Sequence, residues 1–251
     1  MSPRTETMAK PNSADHSLQP LLAPRSVALV GASLRTDSVG DLMVRSLTEG
    51  GFGGEIYPVN PRYQNVRGMG CYPSLEALPA SVDLTILNLA SHRLEAAMLG
   101  AIAAGVRALV IFDPCQIPGD GSPKLLDRLR AIAREARLPV CGGNGMGFSN
   151  FDARCNAGMF VLPARPPGPV SLLAHSGSVF MFASSEAPTY FNLSVSAGQE
   201  IATTVDEYMD YSLSMPSTRA IALFVETVRN PDGFRASLWR RCAIRTDFVR
   251  R

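Results

Sequence analysis

From Ser26 to Val140 the chain alternates short, continuously apolar runs with segments of helical periodicity: "SVALVGA", "GDLMVRSLTEGGFG", "GEIYPVNP", "SLEAL", "VDLTILNLA", "RLEAAMLGAIAAGV", "ALVIFDP", "SPKLLDRLRAIAREARL" and "PVCGG". Apolar strands with no polar alternation are buried on both faces, which requires a parallel sheet with helices on either side. The expected fold class is therefore α/β, beginning with a Rossmann-like doubly wound domain. No repeat with a solenoid period is present.

The 251 residues suffice for two ordinary domains. A segment of no clear period, Gly147 to Pro169, ends in a proline-rich cluster and reads as a connection. A second βαβαβα series then restarts: strand "VSLLA", a helix from Ser176, "LSVSAG", helix "TTVDEYMDYSLS", strand "AIALFVET" and helix "GFRASLWRRCAI". This order predicts a second parallel, flavodoxin-like sheet. The next element should be a core strand, but the chain offers "RTDFVRR", so this sheet is expected to be incomplete with a bare edge. The expected organisation is a disordered tail over 1–20, a first domain over 21–146, a connection over 147–168 and a truncated second domain over 169–251.

With 46% apolar residues and a formal charge of +2, the chain supports a large core and lacks the basic excess of a nucleic-acid or anionic-membrane partner. No apolar segment has the length of a membrane span or the form of a signal peptide. Cys71, Cys115, Cys141, Cys155 and Cys242 are scattered, and with three histidines they build no zinc spacing. They read as reduced structural thiols of a cytoplasmic protein.

The first strand runs into Gly31-Ala32-Ser33, a turn that lets backbone N–H groups approach a phosphate. The G-x-G-x-x-G turn and the acidic residue of a nicotinamide site are both absent. The second strand ends instead in Asn60-Pro61-Arg62, and a cation there suits an additional phosphate, the 3′-phosphate of coenzyme A or the 2′-phosphate of NADP.

"PLLAPRSVALVGAS", "YPVNPR", "VDLTILNL" and "AGVRALVIF", followed by "GPVSLLAHSGSV", "SAGQE", "VDEYMDY" and "IALFVETVRNP", resemble the NDP-forming acyl-CoA synthetases, the family of the succinyl-CoA synthetase alpha subunit. The resemblance covers Leu21 to Ile244 and implies that coenzyme A or acyl-CoA is bound. Gly31, Ala32, Ser33 and the loop through Ser38, Val39 and Gly40 would surround its phosphates, and Arg62 in Asn60-Pro61-Arg62 would replace the family's lysine. Asn88, Ala90 and Ser91, with Phe112, Asp113 and Cys115, would lie along the pantetheine arm or adenine. Ser176-Gly177-Ser178 would face an acyl phosphate or phosphohistidine at a helix N-terminus, with Asn144 nearby. Ala174 stands where the family has a serine, and Gly143 and Gly145 where it has proline and cysteine.

In the family a histidine on a mobile loop carries the phosphoryl group to a nucleotide held by a separate ATP-grasp domain, and both lie outside the matching region. The resemblance thus implies an acid–thiol ligase only when a beta-like partner complements the chain, with no catalytic residue in the chain itself. His175, beside the Ser176 turn, sits at a strand end and cannot swing between two sites; His92 is expected to line a cleft or face solvent, and His16 to lie in the tail. Two other readings stay open: a non-catalytic module that senses coenzyme A, and an NADP-dependent oxidoreductase, although no Tyr-x-x-x-Lys pair is in place.

Overall fold

The structure is a computed structural model that describes residues 13–162, 165–186 and 190–245. A short helix α1 (Gln19–Leu22) precedes β1 (Ser26–Val30), α2 (Val39–Glu49), β2 (Glu55–Val59), a small hairpin of β3 (Asn65–Val66) and β4 (Met69–Gly70), β5 (Leu84–Leu87), α3 (Ser91–Ala103), β6 (Ala108–Ile111), α4 (Leu125–Glu135) and β7 (Val140–Gly142). The first sheet has the order β2-β1-β5-β6-β7 with every pairing parallel. β5 and β6 are buried at every position, Thr85 of β5 included, as strands covered on both faces must be. Ser38 caps α2 by accepting the Asp41 N–H at 3.3 Å, and Met43, Val44 and Leu47 of that helix enter the core.

The second sheet comprises β8 (Gly147–Asn150), β9 (Cys155–Gly158), β10 (Val170–Ala174), β11 (Phe191–Ser196) and β12 (Ala220–Phe224), accompanied by α5 (Gly177–Glu186), α6 (Val205–Ser214) and α7 (Pro231–Arg245). Its order is β12-β10-β11-β8-β9. β10 runs parallel to β11 and β12 as expected, but β8 pairs antiparallel with β11 and with β9, so the sheet is mixed. The segment read as a connection therefore begins with a hairpin belonging to the second sheet. "GFSN" and "CNAG" carry no strand pattern, and both are buried at every position. Burial of their backbone, which must then be hydrogen-bonded, selects the strand pairing.

The expectation of a disordered tail fails over its described part. Leu18, Leu21 and Leu22 are fully buried in the core that joins β1 and α2 to β8, β11 and α6. His16 is held there too: its Nδ1 accepts the Leu18 N–H at 3.1 Å, its ring meets Tyr211 edge-on at 5.2 Å, and its Nε2 lies 3.6 Å from Asp210. Burial lowers the His16 pKa, with Asp210 opposing. Residues 1–12 and the terminal segment 246–251 lie outside the described residues.

The two sheets also share direct bonds. Gln199 and Ile201 donate N–H groups to the carbonyls of Gly143 and Gly142, and the Val140 N–H reaches the Thr203 hydroxyl at 3.1 Å. Among the described residues no helix is long and apolar enough to cross a membrane, and no group of three or more His, Cys, Asp or Glu could hold a metal ion.

Candidate functional site

In a doubly wound sheet of this order the chain reverses direction between β1 and β5, and ligands bind at the carboxyl ends of the strands beside that switch. The register aligns those ends: Val30 pairs with Val59 of β2 and with Leu87 of β5. A cavity of about 610 Å³ opens there, lined by Gly31, Asn60, Pro61, Arg62 and Asn88 among others. Five of the residues expected to contact the coenzyme thus come together.

Glycine is required twice in the first turn. Gly31 has φ +88°, and a β-carbon on it would lie 2.4 Å from the Asn88 carbonyl oxygen. A β-carbon on Gly40 would lie 2.3 Å from the Gly31 carbonyl oxygen, so the two glycines let the turn fold against the start of α2. The rest of the loop is closed by its own bonds. The Ser33 N–H reaches the Gly40 carbonyl, the Ser33 hydroxyl accepts the Arg35 N–H at 3.0 Å, and the Ser38 hydroxyl donates to the Arg35 carbonyl at 2.6 Å. Ala32 is buried, and Ser33, Ser38, Val39 and Gly40 continue the turn into α2 next to Gly31 of the cavity lining.

A negative charge already sits at this helix start. The buried Asp41 carboxylate accepts from Arg67 Nε at 2.7 Å and from the Asp37 N–H at 3.1 Å. The Arg67 bond holds its carboxyl below the usual range. Arg62 and Arg93, which have no ion-pair partner among the described residues, line the cavity instead.

Asn60 works as scaffold. Its side-chain NH₂ donates to the Ala32 carbonyl at 2.7 Å and its oxygen accepts the Arg62 N–H at 3.0 Å, which ties the end of β2 to the glycine turn and aims Pro61 and Arg62. The exposed Arg62 has no ion-pair partner among the described residues. Sequence reasoning missed two other charged residues of this cavity, Arg93 in the first turn of α3 and Glu76 in the 3₁₀ turn Leu75–Ala77.

The turns after β5 and β6 adjoin this edge but bond to one another. The Ser91 hydroxyl donates to the Asp113 carboxylate, which also accepts the Cys115 N–H at 2.8 Å, and the Gln116 N–H reaches the Ser91 oxygen at 3.0 Å. Ala90 precedes α3 with no side-chain cap. Phe112 and Cys115 are buried, and Cys115 lines a separate 400 Å³ cavity with Gln199. Burial, reinforced by Asp113, pushes the Cys115 thiol up to about 12; burial takes Cys141 to about 12 and raises Cys155 as well. The described thiols are therefore poor nucleophiles at neutral pH. His92 is exposed.

In the second half, the Ser176 hydroxyl accepts the Val179 N–H at 3.4 Å at the start of α5, where Gly177 and Ser178 form the first turn. The Asn144 loop is next to it: a β-carbon on Gly177 would sit 2.8 Å from the Met146 side chain, and one on Gly198 2.1 Å from the Gly143 carbonyl oxygen. Met146 thus links Asn144 to the Ser176–Ser178 turn. His175 is anchored rather than poised. Its Nδ1 accepts the Glu226 N–H at 3.0 Å, which leaves the proton on Nε2, and Nε2 lies 3.2 Å from the buried Glu200 carboxylate. Glu200 also accepts the Val205 N–H at 2.6 Å and stands 3.3 Å from Arg229. Burial raises the Glu200 carboxyl, and His175, the Val205 N–H and Arg229 oppose it. The Nδ1 bond and burial hold the His175 ring in place, while Nε2 stands near Glu200 without a well-aligned hydrogen bond.

Known proteins accord with this division. A CoA-binding domain family matches residues 25–150, and the succinyl-CoA ligase-like flavodoxin domain family matches residues 167–247. Trans-feruloyl-CoA synthase FCS1, from an unknown prokaryotic organism, is 29% identical over 90% of this chain and 33% of its own length. The alpha subunit of ADP-forming acetate–CoA ligase II from Pyrococcus furiosus is 26% identical over 82% of this chain and 46% of its own. Among solved structures, the dinucleotide-forming acetyl-coenzyme A synthetase 1 of Ca. Korarchaeum cryptofilum, in complex with phosphate and ADP, superposes with a TM-score of 0.79 at 25% identity, covering 89% of this chain and 49% of the other. The chain thus spans a third to a half of these relatives, and it belongs to the ADP-forming acyl-CoA synthetase family, of which it carries the CoA-binding domain and the succinyl-CoA ligase-like flavodoxin domain.

Proposed function

We propose that this chain is the coenzyme A-binding, alpha-subunit-like part of an ADP-forming acyl-CoA synthetase. It handles coenzyme A in the interconversion of acid, coenzyme A and NTP with acyl-CoA, NDP and phosphate, while an ATP-grasp partner of the beta type supplies the nucleotide chemistry. The observation that carries this reading is the cavity at the β1–β5 switch, where a glycine turn meets an arginine without a partner among the described residues. Its donor set suits a ligand with several phosphates at one end, because a guanidinium fork matches a phosphate oxygen pair.

In this reading Arg62 takes the 3′-phosphate, placed by Asn60 and Pro61. Gly31, Ala32 and Ser33, with Ser38 to Gly40, let the main chain approach the diphosphate. Asn88, Ala90, Ser91, Phe112, Asp113 and Cys115 follow along the same sheet edge toward the thiol end of the coenzyme. Ser176, Gly177, Ser178 and Asn144 form a second anion position, where the N–H groups of the α5 start favour negative charge. That position suits the phosphate released or captured during acyl transfer.

Calorimetric titration tests the reading, with coenzyme A as ligand and dephospho-coenzyme A and NADP as controls. Coenzyme A should bind best, and Arg62→Ala or loss of the 3′-phosphate should each weaken it by about 1.5–3 kcal/mol. Preference for NADP would overturn the reading. Acyl-CoA, ADP and phosphate incubated with the chain alone should yield no ATP, because His175 is immobilised; robust turnover without a partner would refute the division of labour.

A further inference from the structure

We propose that the cavity between α3 and the ends of β1, β2 and β5 reads both ends of the 3′-phosphoadenosine of coenzyme A, with Arg93 as a second cation beside Arg62 on the 3′-phosphate and Glu76 accepting from the amino group of the adenine. This rests on the coenzyme A reading above.

The wall contributed by α3 consists of Arg93, Ala96, Ala97 and Gly100. These positions follow the i, i+3, i+4, i+7 spacing and so form one strip along the helix. Beyond Arg93 the strip has nothing larger than a methyl group, which leaves a smooth apolar surface where a flat ring can lie. Glu76 faces the far end, since its Oε1 would be 3.7 Å from a β-carbon on Gly100. Arg93 and Gly100 are seven residues apart, about 10 Å along the helix axis. That separation suits the distance from the amino group of a purine to the phosphate on its ribose.

The charges fix the direction. A carboxylate repels phosphate, so the Glu76 end of the strip takes the base and the Arg93 end the phosphate. A hydrogen bond from the Ser74 side chain holds the Glu76 carboxyl below the usual range, so at neutral pH it is an acceptor only. Adenine presents an amino donor to such a group, whereas hypoxanthine would set a carbonyl oxygen against it. Asn60 cannot take this part, because both ends of its amide are already bonded within the fold.

The experiment titrates the full chain with coenzyme A, dephospho-coenzyme A and the coenzyme A analogue carrying hypoxanthine in place of adenine. Wild type is compared with Arg93→Ala and Glu76→Ala, both at exposed positions, with folding checked by circular dichroism. Wild type should favour coenzyme A over each analogue by about tenfold or more, the range of one charge-assisted hydrogen bond. Arg93→Ala should cut the preference over dephospho-coenzyme A about tenfold and leave the base preference in place. Glu76→Ala should remove the base preference alone. If wild type binds coenzyme A and neither substitution moves its ratio, the assignment of Arg93 and Glu76 is overturned while the coenzyme A reading stands. If wild type binds no coenzyme A, the underlying reading falls and this one with it.

Discussion

The two sheets differ at their outer strands and in where their charged side chains lie. In the first, β5 and β6 are buried throughout and β1 at its three central positions, and Arg62 and Arg93 line a cavity at the strand ends. In the second, β12 lies at the edge among the described strands with Phe224 48% exposed, and Trp239 of α7 is 70% exposed. Meanwhile His175 and Glu200 are buried together at the inner end of that sheet, with Arg229 beside them. Burying a charge cluster is costly unless its geometry is complete, and exposing large apolar side chains forgoes the main source of stability. The difference teaches that stability is concentrated in the first sheet and the core it shares with β8, β11 and α6, while the outer strand of the second sheet adds little.

Truncation in the first sheet should have the largest effect. Leu29→Ala, at a position of no exposure in β1, should cost about 4 kcal/mol in chemical denaturation, against about 1 kcal/mol for the partly exposed Leu223→Ala in β12. Equal costs would break the comparison. Next comes the charge cluster. Glu200→Ala should cost about 3 kcal/mol, since it leaves the Val205 N–H and His175 Nε2 without their carboxylate. A neutral result would show that the cluster contributes nothing to holding the second sheet together.

A third and smaller effect sharpens the contrast through pH. The Asp41 pKa is depressed in the folded state, so the stability it contributes is present above its unfolded value near 4 and is lost as pH falls through the lower folded value. Asp41→Asn should therefore cost about 2 kcal/mol at pH 7, and the gap from wild type should shrink toward pH 3. A gap that stays constant with pH would mean that Asn replaces the carboxylate in its bonds to Arg67 and Asp37.

What the sequence disclosed follows the same divide. The first sheet was legible because its strands are short and mostly apolar, and Gly31, Asn60, Arg62 and Asn88 were legible because they lie in the turns that follow those strands. The β8–β9 hairpin was not, because "GFSN" and "CNAG" are small and polar and become strands only by pairing with β11 and with each other. α1 was hidden by flanking serine, proline and aspartate, although Leu18, Leu21 and Leu22 carry its core contact. Arg93 and Glu76 reach the cavity from a helix face and a 3₁₀ turn, where only the small-residue spacing of Ala96, Ala97 and Gly100 marks the wall.

The smallest expected effect lies on β12 and is the most direct check of the contrast. Phe224 is half exposed at a sheet edge, so Phe224→Ser removes little buried area and should change unfolding stability by less than about 0.5 kcal/mol. An exposed apolar edge strand also favours pairing with another copy, so the same substitution should lower any concentration-dependent association seen by sedimentation. A stability loss above about 1.5 kcal/mol at low protein concentration would mean that Phe224 is covered within the single chain in solution. The outer strand of the second sheet would then be covered as its inner strands are, and the contrast between the two sheets would rest on the charge cluster alone.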